Sequence, residues 1–243
     1  QSLILTLAGM SLFDAVNHSF ATIATGGFST KNFSVASFDS PVIETIIIFF
    51  MILSGIHFGL LYRTFTFQKE NIFRSPTVRA FILILFSGVI LVSAKLYFSD
   101  VYGIWDSIRY GAFQVISLGT TTGFATADSA HWPAFTHIIL IYFTIQCAMV
   151  GSTSGGLKFD RVFLFFKSLR KQLIILQHPR AVVAIKINNW HISENLELLT
   201  LVFIILYLFT LFITTVVLTF FDVDLYTAFS ASIATIGNVG PGF

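Results

Sequence analysis

Three short stretches decide how this chain is read: Phe20-Ala-Thr-Ile-Ala-Thr-Gly-Gly-Phe28, Ile116-Ser-Leu-Gly-Thr-Thr-Thr-Gly-Phe124 and Ile233-Ala-Thr-Ile-Gly-Asn-Val-Gly-Pro241. Aligned without gaps on Gly27, Gly123 and Gly240, each runs from an apolar residue through small and hydroxyl residues to glycine. Each follows a helix-like segment too short to cross ~30 Å of hydrocarbon. The intervals of 96 and 117 residues leave room for two full crossings between copies. A segment that recurs at such intervals marks a repeat architecture.

Composition supports a membrane setting. Hydrophobic residues make up 55% of the 243 positions and charged residues 11%, about half the charge of an average soluble domain. The mean hydropathy is +0.83. The single Cys147 excludes an internal disulfide and sits in an apolar run, where it reads as packing. The six histidines are scattered without metal-ligand spacing, and no phosphate-binding loop or nucleotide fingerprint is present.

Along the chain, residues 1–12 read as the end of a hydrophobic helix and 14–24 as a short helix with Asp14 near its favourable, positive end. Residues 31–40 read as polar surface. Pro41 opens a spanning helix to about Tyr62, and 80–98 spans again. A short helix follows over about 104–118, then an apolar run from Pro133 to Val150. That run is interrupted by Gly151-Ser-Thr-Ser-Gly-Gly-Leu-Lys158 and resumes to about Leu176. Residues 177–195 form a polar connection, 196–221 span, and a last short helix leads to the third glycine stretch.

Charge sets the expected topology. Segment 63–79 holds four and segment 158–186 seven of the 14 Lys and Arg residues. Asp14, Asp39, Asp100, Asp106, Asp128, Asp222 and Asp224 flank the glycine stretches. By the positive-inside rule the basic segments face the cytoplasm and all three glycine stretches open outward. This gives a parallel repeat of helix, re-entrant short helix with glycine loop, and helix. Irregular backbone at membrane depth is tolerated only where protein buries it or where it lines a water-filled cavity. A short helix entering from outside points the negative end of its dipole toward the membrane centre, which favours a cation. Loop carbonyls can then replace the cation's hydration shell. Thr25, Thr30, Thr120, Thr121 and Thr122 can brace such loops through their hydroxyls.

The stretches Asp14-Ala-Val-Asn-His-Ser-Phe-Ala-Thr-Ile-Ala-Thr-Gly-Gly-Phe-Ser-Thr30, Thr120-Thr-Thr-Gly-Phe-Ala-Thr126 and Asn238-Val-Gly-Pro-Gly-Phe243 resemble the Trk branch of the Trk/Ktr/HKT potassium transporters. The glycine-rich interruption at 151–158 fits the same family. The resemblance implies an all-α membrane protein of four helix–pore-loop–helix units around one potassium pathway. Residues 1–62 then carry repeat two, 63–79 a cytoplasmic loop, 80–176 repeat three with its broken second helix, 177–195 a cytoplasmic connection, and 196–243 repeat four up to its filter. A first filter before the chain and a final helix after it are expected.

Under the same resemblance Thr25, Gly26 and Gly27, Thr121, Thr122 and Gly123, and Asn238, Val239 and Gly240 bind potassium in the filter. Gly151, Ser152, Thr153, Ser154, Gly155, Gly156 and Lys158 form a gate. No cofactor is expected beyond K+ as the transported ion, and no enzyme activity. The implied setting is a bacterial inner membrane with the filter loops outside. The implied partners are a second copy of the protein, membrane lipid and a cytosolic nucleotide-binding regulatory subunit, with no nucleic acid. A sodium- or proton-coupled symporter of the same fold is the alternative. An intramembrane hydrolase fits less well, because the Gly-x-Ser-x-Gly elbow needs serine where this chain has Thr153.

Overall fold

The computed structural model describes residues 1–68, 71–187 and 190–240. Ten α-helices follow one another among them: α1 (Ser2–Leu7), α2 (Leu12–Ile23), α3 (Pro41–Gly55), α4 (Phe58–Phe65), α5 (Pro76–Phe98), α6 (Ile104–Gly119), α7 (Ala134–Gln146), α8 (Phe159–Gln177), α9 (Glu194–Phe220) and α10 (Leu225–Ile236). Local chemistry starts several of them. Ser11 caps α2 by accepting the Asp14 N–H, and Asp224 caps α10 by accepting the Thr227 N–H at 3.0 Å. Ser40-Pro41 and Ser75-Pro76 each place a cap before a proline that needs no N–H partner in the first turn.

Among the described residues two helices, Pro76–Phe98 and Glu194–Phe220, are long and apolar enough to cross a membrane, and the bent pair Pro41–Gly55 with Phe58–Phe65 makes a third when taken as one span. Only 33% and 22% of their most apolar windows are buried inside the protein, so most of their side chains face outward, as lipid-facing helices do. The helices group in chain order: α2 packs on α1 and α3, α6 on α5 and α7, and α10 on α9. Contacts of α3 with α6 and of α7 with α10 join the groups. One core cluster is built from Phe81, Leu85, Val92 and Leu96 of α5 with Val115, Leu118, Leu140 and Phe143. A second joins Leu5, Met10, Ala15, Ile43, Ile47 and Met51 to Phe113, Ile116 and Phe124. Helix α6 contributes to both and is the central strut. Gly88 lets α5 and α7 approach: a Cβ there would sit 2.1 Å from the Phe143 ring.

The sequence reading is corrected in four places. The helix expected from Pro41 to Tyr62 breaks after Gly55, and α3 and α4 meet at 103°. Helix α5 begins at Pro76, so the end of the basic segment 63–79 is already helical, as is its beginning in α4. Residues 31–40, read as plain polar surface, contain a 3₁₀ turn (Ser34–Phe38) around fully buried Val35. The polar connection holds a two-residue antiparallel ladder, β1 (Lys186–Ile187) with β2 (Trp190–His191). Positions 69 and 70 of the basic segment, and Pro241, Gly242 and Phe243 of the third stretch, lie outside the described residues.

Candidate functional site

The short helices α2, α6 and α10 end in the same way. After each C-cap the next residue turns left-handed: Thr25 at φ 48, Thr121 at φ 56 and Asn238 at φ 53. Its N–H bonds three residues back, to Thr22, Leu118 and Thr235, and the following N–H bonds five back, to Ala21, Ser117 and Ala234. This is a Schellman cap, a position usually given to glycine. Holding a β-branched threonine there costs about 1–2 kcal/mol. Two residues further on, Gly27, Gly123 and Gly240 again have positive φ, at 65°, 79° and 103°. Three stretches aligned only by their glycines therefore share one backbone path.

The loops also converge. One cavity of about 520 Å³ is lined by Gly26, Gly27, Gly123, Asn238, Val239 and Gly240 together with Phe28, Ser29, Lys31, Asn32, Ser34 and Ala125. Thr25, Thr121 and Thr122 lie behind it, each almost fully buried. Neighbouring loops touch through their main chains: a Cβ on Gly27 would fall 2.1 Å from the Thr122 carbonyl oxygen. No side chain fits between them, which is the close approach that glycine permits.

Hydroxyls brace the loops, but each loop has its own set. Thr120 and Thr122 share a hydrogen bond at 2.8 Å, and the Ser117 hydroxyl donates to the Phe124 carbonyl at 2.6 Å. Around the first loop, Thr30 donates to Asp14 at 2.5 Å, and Lys31 lies 3.5 Å from the same carboxylate. Hydrogen bonds from Thr30 and then Ser11, with the charge of Lys31 behind them, hold the Asp14 carboxyl below the usual range. Outside the loops, Ala125 donates to the Ser34 hydroxyl and accepts from the Ala36 N–H, tying the 3₁₀ turn to the second loop. Arg109 of α6 donates to both oxygens of buried Glu44 at 2.7 and 2.8 Å and to Asp39 at 3.0 Å. The Glu44 hydrogen bonds, and then the one to Asp39, raise the Arg109 pKa.

The interruption between α7 and α8 begins at Cys147 (φ 59), four residues before the glycine-rich run marked it. It lies directly against the glycine loops. The Thr153 hydroxyl donates to the Ile23 carbonyl at the end of α2 at 2.7 Å. The Gly155 N–H donates to the Thr121 hydroxyl at 3.2 Å. A Cβ on Gly155 would sit 2.3 Å from the Gly237 carbonyl, and Gly156 is 3.4 Å from the Gly237 Cα by the same measure. Lys158 folds back on the segment, donating to the Ser154 carbonyl, to the Ser154 hydroxyl at 2.9 Å and to the Ser152 carbonyl at 3.4 Å.

The break between α3 and α4 lies against this segment. The Met149 N–H donates to the Gly55 carbonyl at 3.1 Å, and the Phe58 N–H donates to the Gly151 carbonyl at 3.0 Å. The His57 ring caps α4 through the Gly59 N–H, and a Cβ on Gly151 would come within 2.6 Å of it. The two breaks satisfy each other's freed main-chain groups, which is what permits them inside an apolar chain.

Among the described residues no group of three or more His, Cys, Asp or Glu side chains forms a metal site. What converges on the cavity is loop main chain, with the side chains of Ser29, Lys31, Asn32, Ser34 and Asn238 also in its wall. A family model for TrkH, described as a cation transport protein, matches residues 5–243. The chain belongs to the TrkH family of cation transport proteins.

It is 38% identical over 243 residues to the "Trk system potassium uptake protein TrkH" of Escherichia coli (strain K12), covering 99% of this chain and 50% of that protein. It is 32% identical to "Trk system potassium uptake protein TrkG" of the same organism, over 98% of this chain and 49% of that one. The crystal structure of the potassium transporter TrkH from Vibrio parahaemolyticus matches with a TM-score of 0.93 at 33% identity, over 99% of this chain and 52% of the other. The chain thus spans about half the length of the relatives it matches. The all-α membrane fold with pore-loop units, expected from the glycine stretches, is the fold that this likeness supports.

Sequence reasoning missed three parts of the site. His57 and Gly55 carry the second break, His18 lies behind the first loop, and 34–36 pair with the second. Asp14 was read for its place at the positive end of α2, not for its bond from Thr30 at the first loop.

Proposed function

We propose that this chain supplies three walls of a potassium uptake pathway in a bacterial inner membrane. Thr25, Gly26 and Gly27, Thr121, Thr122 and Gly123, and Asn238, Val239 and Gly240 are the filter, opening outward. Residues 147–158, including Gly151, Ser152, Thr153, Ser154, Gly155, Gly156 and Lys158, are the gate beneath it. The observation that carries this reading is the convergence on one cavity of three loops with the same cap and positive-φ pattern, with Gly27 against the Thr122 carbonyl. Main-chain oxygens at such a constriction replace the hydration shell of a cation without binding it too tightly to leave. The names of the relatives, potassium uptake proteins, point to the ion.

The contacts of Thr153 with Ile23, Gly155 with Thr121 and Gly156 near Gly237 support the reading that the 147–158 segment obstructs an ion leaving the filter. Opening then requires the segment to move, and α4 and α8 flank it on the side of the basic segments. A cytosolic nucleotide-binding subunit acting on those segments, and a homodimer with one pathway per copy, complete the proposal.

Uptake of radiolabelled rubidium by potassium-starved cells expressing the full reading frame that contains this chain tests it. Uptake well above that of empty cells is expected, and Gly123→Ser should shift preference from potassium toward sodium. Uptake no greater than in empty cells refutes the reading.

A further inference from the structure

We infer that His18 is a specificity-determining positioning residue for the first glycine loop, acting through Ser29. The inference rests on the filter reading above and extends it to His18, which does not line the cavity, and to Ser29 on the cavity wall. His18 sits in α2 with no exposed surface. Its Nδ1 lies 2.8 Å from the Asp14 carbonyl oxygen, and its Nε2 lies 2.9 Å from the Ser29 hydroxyl. A carbonyl can only accept, so Nδ1 carries the proton and Nε2 accepts from Ser29. The Ser29 oxygen in turn accepts the Lys31 N–H at 3.1 Å. The ring stacks on Phe124 with centroids 5.5 Å apart and meets the edge of Phe38 at 5.3 Å.

Ser29 and Phe124 follow Gly27 and Gly123 closely, so one buried imidazole reaches the outer limbs of two loops. In the first loop this tie acts beside the one from Thr30 to Asp14. In the second loop the Ser117 hydroxyl holds the outer limb by donating to the Phe124 carbonyl. The aligned position in the first loop is Ala21, which has no hydroxyl to offer. His18 and Ser29 supply the missing tie from a different place. Filter selectivity arises from the size of the carbonyl cage or from the number and field strength of its carbonyls, and a tie that fixes where the first loop sits bears on both. Loss of the tie therefore acts on ion preference more than on folding.

The test compares full-length wild type with His18→Leu, Ser29→Ala and Ser29→Thr by rubidium uptake with and without competing sodium. Membrane abundance and detergent-extracted homogeneity are measured in parallel. His18→Leu keeps an apolar body against Phe124, and Ser29→Thr keeps the hydroxyl. The expected result is a fall of about three- to tenfold in rubidium-over-sodium preference for His18→Leu and Ser29→Ala, the size of one neutral hydrogen bond. Ser29→Thr should restore it. An unchanged preference in both variants overturns the inference, as does a loss of uptake that merely follows abundance in all three variants. Absence of uptake in the wild type instead sinks the transport reading itself, and this inference with it.

Discussion

The Gly155 main-chain N–H donates to the Thr121 hydroxyl at 3.2 Å, so the interrupted helix is hydrogen-bonded to a glycine loop. The same glycine is packed so closely under the α10 loop that a methyl group would fall 2.3 Å from the Gly237 carbonyl. The gate proposed here therefore bears on the filter itself, and small changes at its contact points should appear in ion flux.

Gly155→Ala should displace the segment, because the clash is with main chain that cannot swing aside. The expected outcome is a basal rubidium flux raised several-fold in cells lacking any regulatory partner, and a smaller increment when the partner is supplied. Flux under normal control in that variant would show that the segment does not obstruct the pathway.

Gly27→Ala meets two penalties, a positive φ of 65° and a Cβ 2.1 Å from the Thr122 oxygen. It should abolish selective uptake. Gly103→Ala is the matched control, since that position has φ −62° and open space around its Cβ. It should leave uptake unchanged and, because Gly103 is the N-cap of α6, cost no more than about 1 kcal/mol of stability. Equal damage from both would mean that glycine content, not loop geometry, is what matters.

How much of this was open to a reader of the sequence depends on where each signal lies. The glycine loops were legible because their chemistry is local: a short helix, hydroxyl residues and a glycine repeat three times. The α7–α8 interruption was legible for the same reason. The α3–α4 break was not. Residues 41–62 are mostly apolar, with Glu44, Thr45, Ser54 and His57 scattered through them, and the break at Ile56 is held by main-chain bonds from Met149 and to Gly151, nearly a hundred residues away. The Ser34 and Ala36 pairing with Ala125 is equally non-local. Distant partners leave no periodic trace in the chain that they reshape.

Gly88 predicts a compensating pair. Gly88→Ala should cost about 1–3 kcal/mol by overpacking against Phe143. Adding Phe143→Leu, which shortens the group that the new Cβ meets, should recover part of the loss. Thermal unfolding of the purified detergent-solubilised protein measures both, and additive damage would contradict the close α5–α7 contact.

Arg109→Met leaves the Glu44 carboxylate buried without its partner, at a cost of about 3 kcal/mol. Glu44→Gln in the same background removes the stranded charge and should restore most of that stability. If the double variant melts no higher than Arg109→Met, the pair is not the strut between α3 and α6 that its geometry describes.

The most direct measurement is the crystal structure of the full-length protein grown in rubidium chloride, read by anomalous scattering. The account predicts a rubidium peak in the cavity bounded by Gly27, Gly123 and Gly240, held by main-chain oxygens and lost when sodium replaces rubidium. A peak elsewhere, or an empty cavity beside ordered loops, would contradict it.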